Sequence, residues 1–150
     1  MRVSQPMADH LAAVRALLLG QRFGVLSTLS ARRGGWPFGS VTPYALLDAG
    51  WPIMLLSALA EHTRNIVADP RASLFVRDDG EDPLAGARVT VLGTVAAAST
   101  NGARETYLER HPEAASYFEM ADFGLYELKP VSARFVGGFG DMGWVDFALD

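Results

Sequence analysis

Residues Ser57 to Val76 read SALAEHTRNIVADPRASLFV. An apolar run ends at Ser57. A short polar segment carrying His62, Thr63, Arg64 and Asn65 follows, and Asp69-Pro70 stops it. A second apolar run, Ala72 to Val76, starts at once. The pattern predicts strand, short helix, strand, with hydroxyl, imidazole and guanidinium groups at the first turn of the helix. Free N–H groups and the positive end of a helix dipole favour an anion there, and Arg64 adds a bidentate donor suited to phosphate.

Outward from this stretch the chain reads as a small β-rich domain. Ser4 and Pro6 open a helix that Gly20 closes, with Leu11, Val14 and Leu18 on one face. Arg22 to Leu29 is a strand with small or apolar residues on both faces, as a barrel strand requires. Trp36 to Leu46 is a second strand, made irregular by Pro37 and Pro43. Asp48-Ala49-Gly50 turns the chain into Pro52 to Ser57. Beyond the Ala72 strand, Arg77 to Gly86 is a polar connection, and Arg88 to Ala98 is a long strand bent at Gly93. Asn101 to Glu119 is helical in two pieces divided by His111-Pro112, and Asp122 to Leu128 and Ser132 to Phe139 are two last strands. Many short antiparallel strands with helices set aside predict a β-barrel with peripheral helices.

Composition bounds the function. The 150 residues are expected to form a single domain, 1–150, with 49% hydrophobic and 20% charged residues. A net charge of −4 argues against non-specific binding to nucleic acid. The absence of cysteine removes thiol nucleophiles and Cys-ligated metals. The apolar stretch near the N-terminus is too interrupted to span a bilayer, and a cytoplasmic location is the default expectation. Only three histidines occur, His10, His62 and His111, with no metal-ligand spacing between them. His10 and His111 read as surface or cap residues, and no metal site is expected. No GxSxG elbow, P-loop or strand-following GxGxxG is present, and the sequence names no catalytic residue.

Ser40, Thr42 and Tyr44 alternate along the second strand, Ser57 ends the third, and Arg88 opens the fifth. In a small barrel these polar groups can line a rim beside the helix N-terminus. A charged residue opening an apolar strand needs a partner if it is buried.

These residues in this order resemble the FMN-binding split barrels related to pyridoxamine 5′-phosphate oxidase, and among them the branch associated with haem utilisation. The similarity rests on Gly39-Ser40-Val41-Thr42-Pro43-Tyr44, Leu56 to Asn65, Asp69 to Leu74, Arg88 to Gly93 and Gly137-Gly138-Phe139-Gly140. The resemblance implies a mainly β, antiparallel split barrel with short helices, forming a homodimer with cofactor clefts between subunits. It implies FMN, with haem as the alternative cofactor. Ser40, Val41 and Thr42 would lie along the flavin. Ser57, His62, Thr63 and Arg64 would hold its phosphate or ribityl chain, and Arg88 would stand where the oxidase has a flavin-contacting glutamine. The implied activity is that of a flavin-dependent oxidoreductase, or of a non-catalytic flavin- or haem-binding module. Two departures stand out. His62 replaces the oxidase's phosphate-clamping lysine. The C-terminal Arg-X-His used on pyridoxal substrates is missing, so the oxidase reaction itself is not expected. No histidine follows His111 to supply the haem ligand found in a further domain of the haem-utilisation relatives.

Overall fold

A computed structural model describes residues 4–147. Helix α1 (Gln5–Gly20) begins where expected: the Ser4 hydroxyl accepts from the Met7 N–H at 3.2 Å, and Pro6 sits in the first turn. The remaining elements are β1 (Phe23–Leu29), β2 (Pro37–Pro43), β3 (Ala45–Leu46), β4 (Pro52–Ser57), α2 (Glu61–Ala68), β5 (Arg71–Arg77), β6 (Arg88–Ala97) and α3 (Ala103–Arg110). A 3₁₀ segment (Pro112–Glu119), β7 (Phe123–Val136) and β8 (Met142–Asp146) complete the chain.

The strands form one antiparallel sheet in the order β2-β1-β5-β6-β7-β4-β3, with β8 added to β7. The sheet curls round a core of Leu26, Tyr44, Met54, Leu56, Leu74, Val76, Val89, Val91, Leu128 and Phe135. Helix α1 brings Val14, Leu17 and Leu18 to this core, and α2 brings Ile66. The Tyr44 hydroxyl donates to the Leu18 carbonyl at 2.6 Å, tying α1 to the strand seam. A second cluster lies on the other face of β4 and β7, where α3 and the 3₁₀ segment pack Tyr107, Ala114 and Phe118 against Leu55, Phe123 and Leu125. The mainly β antiparallel barrel with short helices is the fold expected.

The C-terminal quarter departs from expectation. One 14-residue strand, β7, replaces the two predicted, and β8 is additional. Pro130 does not break β7 because it falls at a register shift: Gly93 faces Pro130 while Leu92 faces Ser132, leaving Val131 as the extra residue of a bulge. Gly93 is required there, since a Cβ would overlap the Lys129 carbonyl. The last strand of the expected set was drawn to Phe139 but ends at Val136. Gly138 and Gly140, both at positive φ, then reverse the chain into β8. The irregularity predicted from Pro43 separates β2 from β3. Among the described residues no helix is long and apolar enough to cross a membrane.

Candidate functional site

Two neighbouring regions concentrate polar and aromatic side chains: the barrel mouth under α2, and a cavity outside the seam between β2 and β4.

At the mouth, β4 delivers Ser57 on its outward face. The Ser57 hydroxyl donates to the Asp122 carboxylate at 2.8 Å and accepts from the Leu59 N–H at 3.1 Å, which fixes the turn into α2. Ala60 at the N-cap offers no side-chain acceptor. Glu61 occupies the first turn, where its charge complements the dipole, and the Arg32 guanidinium meets both of its oxygens at 3.0 and 3.1 Å. Asn65, fully buried, donates to the Thr28 hydroxyl at 3.0 Å and accepts from the Ala31 N–H at 3.0 Å. This residue locks α2 onto the β1 end. It lies inside the quoted motif, yet only its burial reveals the role.

The expected cofactor residues separate into inward and outward sets. Directly paired residues of an antiparallel sheet point to the same face. Ser40 pairs with the core residue Leu26, and Thr42 with Gly24, so both point inward. The Ser40 hydroxyl hydrogen-bonds His62 Nδ1 at 3.2 Å. His62 Nε2 and Thr63 Oγ1 are buried without a partner. Burial holds the His62 pKa below its usual value and favours the neutral imidazole. Thr42 is buried and donates to the Pro43 carbonyl at 3.0 Å. The structure therefore brings Ser40 and His62 together. Val41 and Arg64 point to solvent, Val41 with 72% of its surface exposed. Arg88 lies two strands from β1 at the far end of the register, where it donates to the Pro83 and Leu84 carbonyls at 3.3 and 3.1 Å.

The second region has a volume of about 290 Å³. Phe23, Pro43, Leu55, Tyr117 and Phe123 form its walls, with Tyr107, His111 and Glu113 behind them. His111 caps α3, as the sequence suggested, but it is buried rather than at the surface. His111 Nε2 donates to the Tyr44 carbonyl at 2.7 Å, and Nδ1 faces the Glu113 carboxylate at 3.4 Å. The Glu113 backbone N–H, then His111 and Arg22, hold the Glu113 carboxyl below its ordinary range. Burial pushes the Tyr107 phenol up to about 12, so it stays protonated. The Tyr117 and Phe123 rings lie 5.0 Å apart. Sequence reasoning missed this cavity because its walls come from five separate segments.

The outward face of the sheet continues the apolar wall. Val41, Val25, Phe75, Thr90, Arg134 and Trp144 form one row of paired positions across six strands. Phe23, Val41 and Trp144 are each more than half exposed along it.

A family model described as CREG, beta-barrel matches residues 5–149. A structure described as a haem-binding protein from Mycobacterium smegmatis is 33% identical, with a TM-score of 0.84, covering 97% of this chain and 59% of that one. A chloroplastic non-canonical haem oxygenase of Arabidopsis thaliana is 35% identical over 83% of this chain and 39% of its own length. The chain thus spans less than two thirds of both relatives. A structure described as a candidate pyridoxamine 5′-phosphate oxidase from Listeria innocua shares the fold at 15% identity, with a TM-score of 0.64, covering 85% of this chain and 96% of that one.

Proposed function

The chain belongs to the CREG β-barrel family, and on that premise we propose that it binds a haem-type tetrapyrrole on the outer side of the β2–β4 seam. The observation that carries this reading is the aromatic-walled cavity that opens onto exposed apolar strand surface. Its 290 Å³ is near the lower end for ligand pockets. Phe23, Pro43 and Tyr117 would hold one edge of a planar ring, and Val25 and Val41 would lie beneath the rest. Stacking on such walls contributes about 0.5–1.5 kcal/mol per aromatic pair beyond the area buried. The similarity to the Mycobacterium haem-binding protein and to the Arabidopsis non-canonical haem oxygenase supports haem as the ring. The residues present fit the ring, but the cavity offers no uncommitted imidazole to a metal.

FMN is the second reading, with flavin-dependent oxidoreduction as its activity. The specific observation in its favour is exposed Arg64 on the first turns of α2, beside unpartnered Thr63 Oγ1 and His62 Nε2. Against it, Glu61 already supplies a negative charge to that helix end, and Ser40, Thr42, His62 and Thr63 turn toward the barrel interior. A phosphate would meet Arg64 with little else outward to hold it.

Exposed Phe23, Val25, Val41 and Trp144 on this face are the basis for proposing a homodimer through it, since exposed apolar patches mark interfaces.

Absorption titrations with ferric haem and with FMN test the cofactor assignment. The proposal expects a saturable shift of the haem Soret band at one equivalent per chain and FMN affinity at least about tenfold weaker. Tight FMN binding with no haem response would reverse the order of the two readings.

A further inference from the structure

The histidine inventory of the chain narrows what the proposed ring site can recognise. His111, the only imidazole in the cavity, has both ring nitrogens committed: Nε2 to the Tyr44 carbonyl at 2.7 Å, and Nδ1 toward Glu113 at 3.4 Å. His10 Nε2 is bonded to Asp141 at 2.8 Å, and its ring is closed in by Phe135 and by Gly143, where a Cβ would lie 2.7 Å from Nδ1. His62 Nδ1 is bonded to Ser40, and its Nε2 is buried inside the barrel mouth, on the opposite side of β2 from the cavity wall. No other histidine exists in the sequence. Two further cavity groups are engaged, which leaves the half-exposed Tyr117 phenol as the remaining donor in the wall. Glu113 faces both His111 and Arg22, and the Tyr107 phenol is buried and kept protonated. The wall itself is hydrocarbon and aromatic surface, which recognises a ring face and not a metal.

We infer that the site binds tetrapyrroles through the macrocycle rather than through the metal, so its ligand class includes iron-free porphyrins alongside haem. This rests on the ring-site reading above. Recognition comes from stacking against Phe23, Pro43 and Tyr117 and from apolar contact with Val25 and Val41. None of the histidines would ligate an iron held in the ring. A ligating protein nitrogen would make haem tighter than the same ring without iron, because the free porphyrin cannot use that bond. Without one, the two rings bind alike.

Ferric haem and iron-free protoporphyrin IX are titrated into the full chain and into His62→Gln, read by absorption and by quenching of tryptophan fluorescence. The expected result is affinities for the two rings within a factor of about five, and a ferric-haem spectrum unchanged by His62→Gln. Haem tighter than the iron-free ring by more than that factor overturns the inference while leaving the ring site standing. So does a spectrum that changes on His62→Gln, which would make His62 the ligand. Failure of both rings to bind removes the ring site and this inference together. A Tyr117→Phe chain distinguishes phenolate ligation: its ferric spectrum is expected to match the wild type, and a changed spectrum overturns the inference.

Discussion

His111 Nε2 donates to the Tyr44 carbonyl across 2.7 Å, joining residues 67 positions apart in the chain. Tyr44 in turn donates to the Leu18 carbonyl, so the bond links the end of α3, the barrel seam and α1 in one series. His111→Ala leaves the Tyr44 carbonyl buried without its donor. The expected loss of stability is about 1–3 kcal/mol, measured as a lower midpoint in urea denaturation.

Asn65 and Arg64 are adjacent but differ in consequence. Asn65→Ala strands the Thr28 hydroxyl and the Ala31 N–H, both bonded to it in the native fold. It is expected to cost about 2–3 kcal/mol, whereas Arg64→Ala, at an exposed position, changes stability by no more than about 0.5 kcal/mol. Parallel denaturant titrations of the two variants check the difference.

His62 gives stability a defined pH dependence. Its folded-state pKa lies below the ordinary 6.5 because burial disfavours the imidazolium. As pH falls below 6.5, the unfolded chain takes up this proton before the folded one. Stability is therefore fully present above 6.5 and declines as pH drops toward the folded value. Denaturation midpoints from about pH 7.5 to about pH 5 should decrease, with a shallower decrease in His62→Gln. Identical slopes for the two proteins would show that burial of His62 carries no linkage.

A homodimer through the outer sheet face predicts twice the chain mass in sedimentation at micromolar concentration. Val41→Glu, placed on this face with its side chain 72% exposed, should give the monomer mass with an unchanged far-UV spectrum. A monomer mass for the unaltered chain would refute the interface.

The sequence made the barrel legible where its punctuation is local. Ser4 and Pro6 mark α1, Asp69-Pro70 ends α2, and Gly93 marks the bend in β6 because a Cβ has no room there. Continuity of β7 was not legible. Pro130 reads as a strand breaker until its partner is known to be a bulge position opposite Gly93. Alternation along β2 placed Ser40 on a rim beside the start of α2, but its hydrogen bond to His62 was not legible. Nor was the inward direction of the two side chains, because it depends on which face of β2 meets Leu26. The aromatic cavity depends on α3 and the 3₁₀ segment folding back over β4, a tertiary contact that no local pattern encodes.

The ring site between Phe23 and Tyr117 is tested most directly by an absorption titration of haem into Phe23→Ala/Tyr117→Ala beside the unaltered chain. Both side chains are roughly half exposed, so their removal leaves the core in place. The account predicts that haem affinity falls at least about tenfold, corresponding to two lost aromatic contacts. Equal affinity in the double variant would contradict it and place the ring elsewhere on the barrel.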